Sequence, residues 1–334
     1  MTSSFSARRL LLPLVPLYRL ALAFREIRLG TKLEPVRRLR WPVVSIGNLS
    51  TGGSGKTPLT IALAQSLTAR GLYIDVLSRG YGRHSQLPAR VNPGGTAEDF
   101  GDEPLLIARE TGIPVYVAPQ RYHAGLLAEA AHLNAEKPAI HLLDDGFQHC
   151  QLARNINILL LNRQDWQDTL LPAGNLRDPL KAVHRASVIA IPADNPELEP
   201  ELRTWGWDGP VWRLRRTMKV PSLSSPVAAF CGIARPEQFF SGLEDAGLSL
   251  AVRTAFRDHH RYYAHNLNRL AASARAAGTT TLITTEKDLV RLGKLADLLP
   301  KSMPLVTARL RIEIEDHDTA INWLIDRLNQ PAFE

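Results

Sequence analysis

The eight residues Ser50-Thr51-Gly52-Gly53-Ser54-Gly55-Lys56-Thr57 constrain this chain more than any other segment. They stand between an apolar β-rich run, PVVSIG (42–47), and a run of helical character (57–69). A loop of this make-up turns its backbone N–H groups inward around phosphate oxygens, and the helix that follows adds the positive end of its dipole. The glycines permit the turn, Lys56 reaches the β- and γ-phosphates, and the Thr57 hydroxyl can ligate magnesium. The strict pattern opens on glycine where this chain has Ser50, yet a turn that merely started a helix would leave Lys56 and Thr57 unexplained. Pro58 suits a first helical turn, where its missing N–H needs no partner.

From Trp41 onward, short β-rich runs alternate with helical stretches, the pattern of a mostly parallel sheet flanked by helices. Strands are expected at 42–47, 73–78, 114–118, 139–143, 156–161 and 187–192, and helices at 57–69 and 121–135. A polar, proline-rich patch (193–210) leads to VWRLRRTMKV (211–220), which reads as a strand, and then to PSLSSP (221–226). A second series follows: VAAFCGIA, a helix from Pro236, SLAVRTAF, a helix over 264–277, TTLITTE, LVTARLRIEI and a last helix from Asp318. The expected organisation is an α/β fold with an N-terminal segment (1–40), a P-loop domain (41–210), a linker (211–226) and a smaller C-terminal α/β domain (227–334).

The net charge of +7 lies at one end. Residues 1–41 carry nine Arg or Lys against Glu26 and Glu34, a surplus of seven, which leaves the rest of the chain neutral. Within them, residues 10–24 are apolar apart from Arg19, and Pro13 and Pro16 interrupt any helix early. A helical span needs about 20 apolar residues, so this segment is too short and too broken. It reads instead as a helical segment lying in a membrane interface, Leu, Tyr18 and Phe24 at the acyl boundary and arginines on anionic head groups. An amphipathic helix packed on the protein's own core is the bland alternative. No zinc-finger, RNA-binding or helix-turn-helix signature accompanies the arginines, so nucleic acid is not an expected partner. Two distant cysteines, Cys150 and Cys231, suggest neither a disulfide framework nor a thiolate metal site and fit a reducing cytoplasm.

The phosphate loop does not say whether its nucleotide drives motion or donates a phosphoryl group. The run 139–143 ends in Asp144-Asp145-Gly146-Phe147-Gln148-His149, and an acid at the carboxyl end of a buried parallel strand is where such proteins hold magnesium. Asp102 and Glu103 stand before a helix, where spacing favours N-terminal capping over service as a base. His259 and His260 close a predicted strand, so one of the pair should face a cleft and the other should not. Arg79 and Arg121, beside strand ends on the loop's side, are candidates for an anionic substrate.

Seven segments in order, STGGSGKTP, LSRGYG, GDEP, DDGFQH, LLPAGNLRDP, FRDHH and TTEKD, resemble the lipid A 4'-kinase (tetraacyldisaccharide 4'-kinase) family along most of the chain. The resemblance implies transfer of the γ-phosphoryl group of ATP, with Mg2+, to the 4'-hydroxyl of a membrane lipid, a tetraacylated glucosamine disaccharide 1-phosphate, to give lipid IVA. It implies a base at Asp102, paired with His259 and acting with Lys56, and a magnesium site at Thr57, Asp144 and Asp145. It also points to substrate contacts among Arg79, Arg121, Gln148, His149 and Asp178. A peripheral position at the cytoplasmic face of the inner membrane is expected, with no obligatory protein partner. The chain departs from the family at Asp178, where glutamate is usual, and TTEKD (284–288) has no assigned role. A membrane-associated ATPase switch and a P-loop kinase for another sugar or lipid acceptor are the alternatives.

Overall fold

The computed structural model describes residues 8–31, 33–132, 139–223 and 226–330. A turn of 3-10 helix at Leu12–Leu14 leads into α1 (Val15–Gly30), then β1 (Val43–Asn48), α2 (Lys56–Ala69), β2 (Tyr73–Ser78), β3 (Ala89–Arg90), α3 (Asp102–Thr111), β4 (Val115–Val117) and α4 (Arg121–Ala131). There follow β5 (Ala139–Asp144), β6 (Ile156–Leu160), β7 (Val188–Pro192), β8 (Val211–Lys219), β9 (Val227–Cys231), α5 (Pro236–Asp245) and β10 (Leu250–Ala255). The chain continues through α6 (Ala264–Ala276), β11 (Leu282–Thr285), α7 (Glu286–Leu292), β12 (Leu305–Ile314) and α8 (His317–Asn329).

These strands form one twelve-stranded sheet in the order β10-β9-β11-β12-β8-β7-β6-β1-β5-β2-β4-β3. Neighbours run parallel except at β12/β8 and β3/β4. β8, part of the segment expected to be a linker, bonds to β7 on one side and β12 on the other, so the sheet continues across it. Every residue of β1 and β5 is buried, as strands covered on both faces must be. Side chains alternate along β1 and β6: Val44, Ile46, Ile156 and Ile158 meet Leu59, Leu63, Leu105 and Leu324 on one face. On the other face Val43 meets Ala124 and Leu143, and Leu159 and Leu161 meet Phe147 and the N-terminal helix. The polar 193–210 patch contains a helix missed in the sequence, Leu198–Thr204, because Leu198 and Leu202, one turn apart, give it a buried face. The expected helix over 121–135 is described to Ala131; 133–138 lie outside the described residues.

Pro13 lies in the 3-10 turn and Pro16 in the first turn of α1, where proline is tolerated. The helix docks through Val15, Tyr18 and Leu22, spaced three and four apart. Tyr18 Oη donates to Arg177 O at 3.0 Å, and Arg25 Nη2 donates to Asp178 Oδ1 at 2.6 Å. Its opposite side leaves Leu17 and Phe24 64% and 61% exposed, flanked by exposed Leu14, Leu20 and Ile27. Among the described residues no helix is long and apolar enough to cross a membrane.

Deep in the sheet, Asp75 on β2 and His141 on β5 are fully buried, with His141 Nδ1 2.7 Å from Asp75 Oδ1 and His141 Nε2 3.5 Å from Glu129 Oε1. Burial opposes protonation of His141, but Asp75 and then Glu129 outweigh it and push its pKa up from 6.5 to about 9. A raised folded-state value means that this contribution to stability is complete below 6.5 and lost as pH rises through about 9. His141→Ala, which strands Asp75, is expected to cost about 3–5 kcal/mol in urea unfolding at neutral pH. A loss below about 1 kcal/mol would mean that the pair is not charged.

Candidate active site

The loop from β1 to α2 lies at the carboxyl end of β1, with Gly55 as the helix N-cap in left-handed conformation (φ 95°). No side chain caps this end, so the first-turn N–H groups face the loop interior free of internal competition. A Cβ on Gly55 would lie 2.9 Å from both Arg216 Nη2 and Ile312 Cδ1, so glycine is required by contact as well as by conformation. Arg216 donates to Ser54 O, and Thr51 N donates to Asn175 O, which pins the loop from both flanks. Gly52 is also left-handed (φ 106°), Ser50 bridges to Leu176, and Thr57 is buried at the start of α2.

Lys56 Nζ donates to Asn48 Oδ1 at 2.9 Å and stands 3.5 Å from Asp145 Oδ1. Arg177 completes this group, donating to Asn48 Oδ1 (2.7 Å) and to both Asp145 oxygens (2.9 and 3.1 Å). Burial opposes ionisation of Asp145, but Lys56 and Arg177 hold its carboxyl well below the usual range. Asp144 differs. Its Oδ1 accepts from Thr60 Oγ1 at 3.1 Å, while its buried Oδ2 meets no donor among the described residues. Burial, then the charges of Glu103 and Asp145, push its pKa up to about 7 against the pull of Lys56 and Lys287.

A second group stands at the N-terminus of α3. Asp102 is its first residue, not a residue before it, and Asp102 Oδ1 accepts from Glu103 N at 3.0 Å. Asp102 Oδ2 receives His259 Nδ1 (3.1 Å), Arg291 Nε (2.7 Å) and Arg291 Nη2 (2.5 Å). Burial opposes ionisation here too, but the bond to His259 and the charges of Arg291 and Lys287 depress the Asp102 pKa. The same bond raises the proton affinity of His259. Strand β10 ends at Ala255, so the histidine pair lies in the turn beyond the expected strand. His259 takes a left-handed conformation (φ 55°) beside Tyr81, while His260 stacks on Phe256 at 4.5 Å.

Because Asp144 responds to Lys56 on one side and to Glu103 and Lys287 on the other, the two groups share one electrostatic field. The remaining candidates divide. Arg121 is buried at the start of α4, with Nη2 3.5 Å from Asp145 O. His149 has its pKa lowered to about 3 by burial and by Arg121, Arg154 and Arg79, which places it among cations. Gln148 Nε2 donates to Asn48 O (2.8 Å) and Asp178 Oδ2 (3.2 Å). Asp178 is buried and paired with Arg25 (2.6 Å) and Arg185 (2.8 Å), so it ties the N-terminal helix to the rim and makes no bond to Lys56.

The TTEKD segment gains a physical role. Thr285 caps α7, Lys287 pairs with Glu103, and Glu286 pairs with Arg311 at 3.0 Å. Buried Asp288 accepts from Gly232 N (3.1 Å), Tyr262 Oη (2.9 Å) and Arg291 Nη1 (3.1 Å). Sequence reasoning missed Asn48, Arg177 and Arg291. Asn48 and Arg177 flank or lie within recognised motifs, but Arg291 is 189 residues from its partner Asp102, and no local pattern joins them.

Among known proteins, the family described as tetraacyldisaccharide-1-P 4'-kinase matches residues 7–329. The chain is 39% identical over 328 residues to a protein of Koribacter versatilis named tetraacyldisaccharide 4'-kinase, covering 94% of this chain and 97% of that one. It is 36% identical over 326 residues to the protein of that name from Geobacter metallireducens, covering 92% and 95%. The crystal structure of the "apo" form of LpxK from Aquifex aeolicus in complex with ATP superposes with a TM-score of 0.75 at 29% identity, over 96% of this chain and 99% of that chain. Identity held across nearly the whole length of each relative, and repeated in the superposition, reflects common descent with the architecture retained, and the chain belongs to the tetraacyldisaccharide-1-P 4'-kinase family.

Proposed function

We infer that this ATP-dependent tetraacyldisaccharide 4'-kinase of lipid A biosynthesis runs its reaction between Lys56 and Asp102, with Asp144 lying between them. The observation that carries this reading is the reach of one buried acid to both groups: Asp144 feels Lys56 at the phosphate loop and also Glu103 and Lys287, the ion pair that adjoins the histidine-paired Asp102. The α2 N-terminus and loop amides orient the phosphates of ATP, and Lys56 offsets charge on the γ-phosphoryl oxygens as it is transferred. Asp102 aligns the 4'-hydroxyl and takes its proton while the new P–O bond forms and ADP leaves. Magnesium fits the residues present, because Asp144 Oδ2 is a buried acceptor with no donor among the described residues and with a raised proton affinity. Thr57 with Asp144 and Asp145 would hold the ion, which when bound would offset negative charge on the phosphates. Arg121 and Arg79, with the uncharged imidazole of His149 beside them, supply a cationic wall for the anionic head of the substrate. Residues 41–210 supply the donor side and residues 227–334 the partners of Asp102, with 211–226 between these two domains.

A test is the position of the new phosphate. Fragmentation mass spectrometry of the product should place label from γ-labelled ATP on the 4'-oxygen of the lipid; label in inorganic phosphate alone would contradict the reading.

The substrate's acyl chains stay in the bilayer at about 0.8 kcal/mol per buried CH2, so the enzyme must come to the surface, here the cytoplasmic face of the inner membrane. Exposed Leu17 and Phe24, with the exposed Arg8, Arg9 and Arg19, support α1 as the contact. Leu17→Glu with Phe24→Glu should abolish co-sedimentation with anionic vesicles, since neither side chain packs on the core. Binding equal to wild type would rule out α1 as the anchor.

A further inference from the structure

We propose that Arg291 is a positioning residue that fixes Asp102 in its ionised form and in one orientation; the proposal rests on the reading of Asp102 as the hydroxyl's acceptor. Arg291 is held on both sides. Its Nε and Nη2 reach Asp102 Oδ2 at 2.7 and 2.5 Å, and its Nη1 reaches Asp288 Oδ1 at 3.1 Å and Gly232 O. Its side chain is 6% exposed and that of Asp288 is 0% exposed. Asp288 is itself fixed by Gly232 N, Tyr262 Oη and Thr285 Oγ1. A fork whose far prong is anchored cannot rotate away from the carboxylate, so the plane of Asp102 is set from the C-terminal half of the chain.

This arrangement assigns Asp102 its chemistry. A carboxylate gripped by a guanidinium is a weak base, and in phosphoryl transfer with a loose transition state a weak base suffices, because the hydroxyl is aligned first and gives up its proton late. Among the described residues, Asp102 Oδ1 is bonded only to the adjacent Glu103 N at 3.0 Å, whereas Oδ2 carries the cationic donors His259 and Arg291. Oδ1 is therefore the oxygen left for the sugar hydroxyl. The charged groups around Asp102 are His259 and Asp258 from the turn after β10, Lys287, Arg291 and Asp288 from α7, and Glu103 on its own helix. Of these, Arg291 makes the shortest contact.

The experiment is the pH dependence of kcat/KM at saturating magnesium for wild type, Arg291→Gln, Arg291→Lys and Asp102→Ala. Gln keeps an amide donor and removes the charge, so its acid limb should rise by about 1–3 pH units relative to wild type. Lys keeps the charge, so its limb should stay with wild type while its rate falls for want of the two-pronged grip. A Gln limb coinciding with wild type, or a Lys limb displaced as far as Gln, would overturn the proposal; either variant decides it alone if the other does not fold. The two readings fail separately. Wild-type activity in Asp102→Ala removes the acceptor assignment itself, whereas loss of activity there with unmoved Arg291 limbs removes only the role of Arg291.

Discussion

Asp102→Ala should lower kcat by roughly 10²–10⁴-fold, the range for loss of a positioned proton acceptor, while ATP affinity measured by calorimetry stays near wild type. The split follows from geometry: among the described residues Asp102 bonds to Glu103 N, His259 and Arg291, none of them in the phosphate loop. The substitution also removes one of the two carboxylates that meet Arg291, a buried cation, so a loss of stability smaller than that for a cation left wholly unpaired should accompany it. Arg291 keeps Asp288, which should hold the fold together for the kinetic comparison. Asp102→Asn, nearly isosteric, should lose a similar share of the rate with less loss of stability. If alanine and asparagine variants both turned over at the wild-type rate, the acceptor would have to be sought elsewhere.

Lys56→Met should produce a different signature. Removing a cation from developing charge on the transferring group costs about 10²–10³-fold in kcat, and on the proposed reading, in which Lys56 meets the phosphates before and during transfer, ATP binding should weaken as well. Stability should change little, since Asp145 retains both bonds to Arg177 and Asn48 retains its own. Steady-state kinetics with calorimetric ATP titration check this; unaltered ATP affinity would place Lys56 away from the nucleotide.

How much of this was legible in the sequence depended on the range of the interaction. PVVSIG and YIDVLS fall on β1 and β2 because near-continuous burial writes itself into a short local run, and LVTARLRIEI is β12 residue for residue because apolar and charged residues alternate along its second half. The phosphate loop was legible for the same reason, its glycines and lysine being consecutive. Asp102 was harder. Local spacing pointed to a cap, but Gly101 is the N-cap and Asp102, inside the helix, bonds through Oδ1 only to the next N–H; its other oxygen meets His259 and Arg291, 157 and 189 residues away, which no local pattern reports. Spacing allowed only that one histidine of the pair would face a cleft, and the turn after β10 selected His259. Asp178 sat in a recognised motif, yet its partners Arg25 and Arg185 make it a buried anchor for α1, a role set by a helix 153 residues earlier. TTEKD carried no visible chemistry because its polar residues act by fixing others, Asp288 through Gly232 and Arg291, and Lys287 through Glu103.

The most direct test of the account is transfer of labelled γ-phosphate from ATP to tetraacyldisaccharide 1-phosphate in mixed micelles with magnesium, comparing wild type with Asp102→Ala. The account predicts labelled lipid from wild type and almost none from the variant, which still binds ATP. Equal labelling by both proteins, or ATP hydrolysis by wild type without labelled lipid, would contradict it.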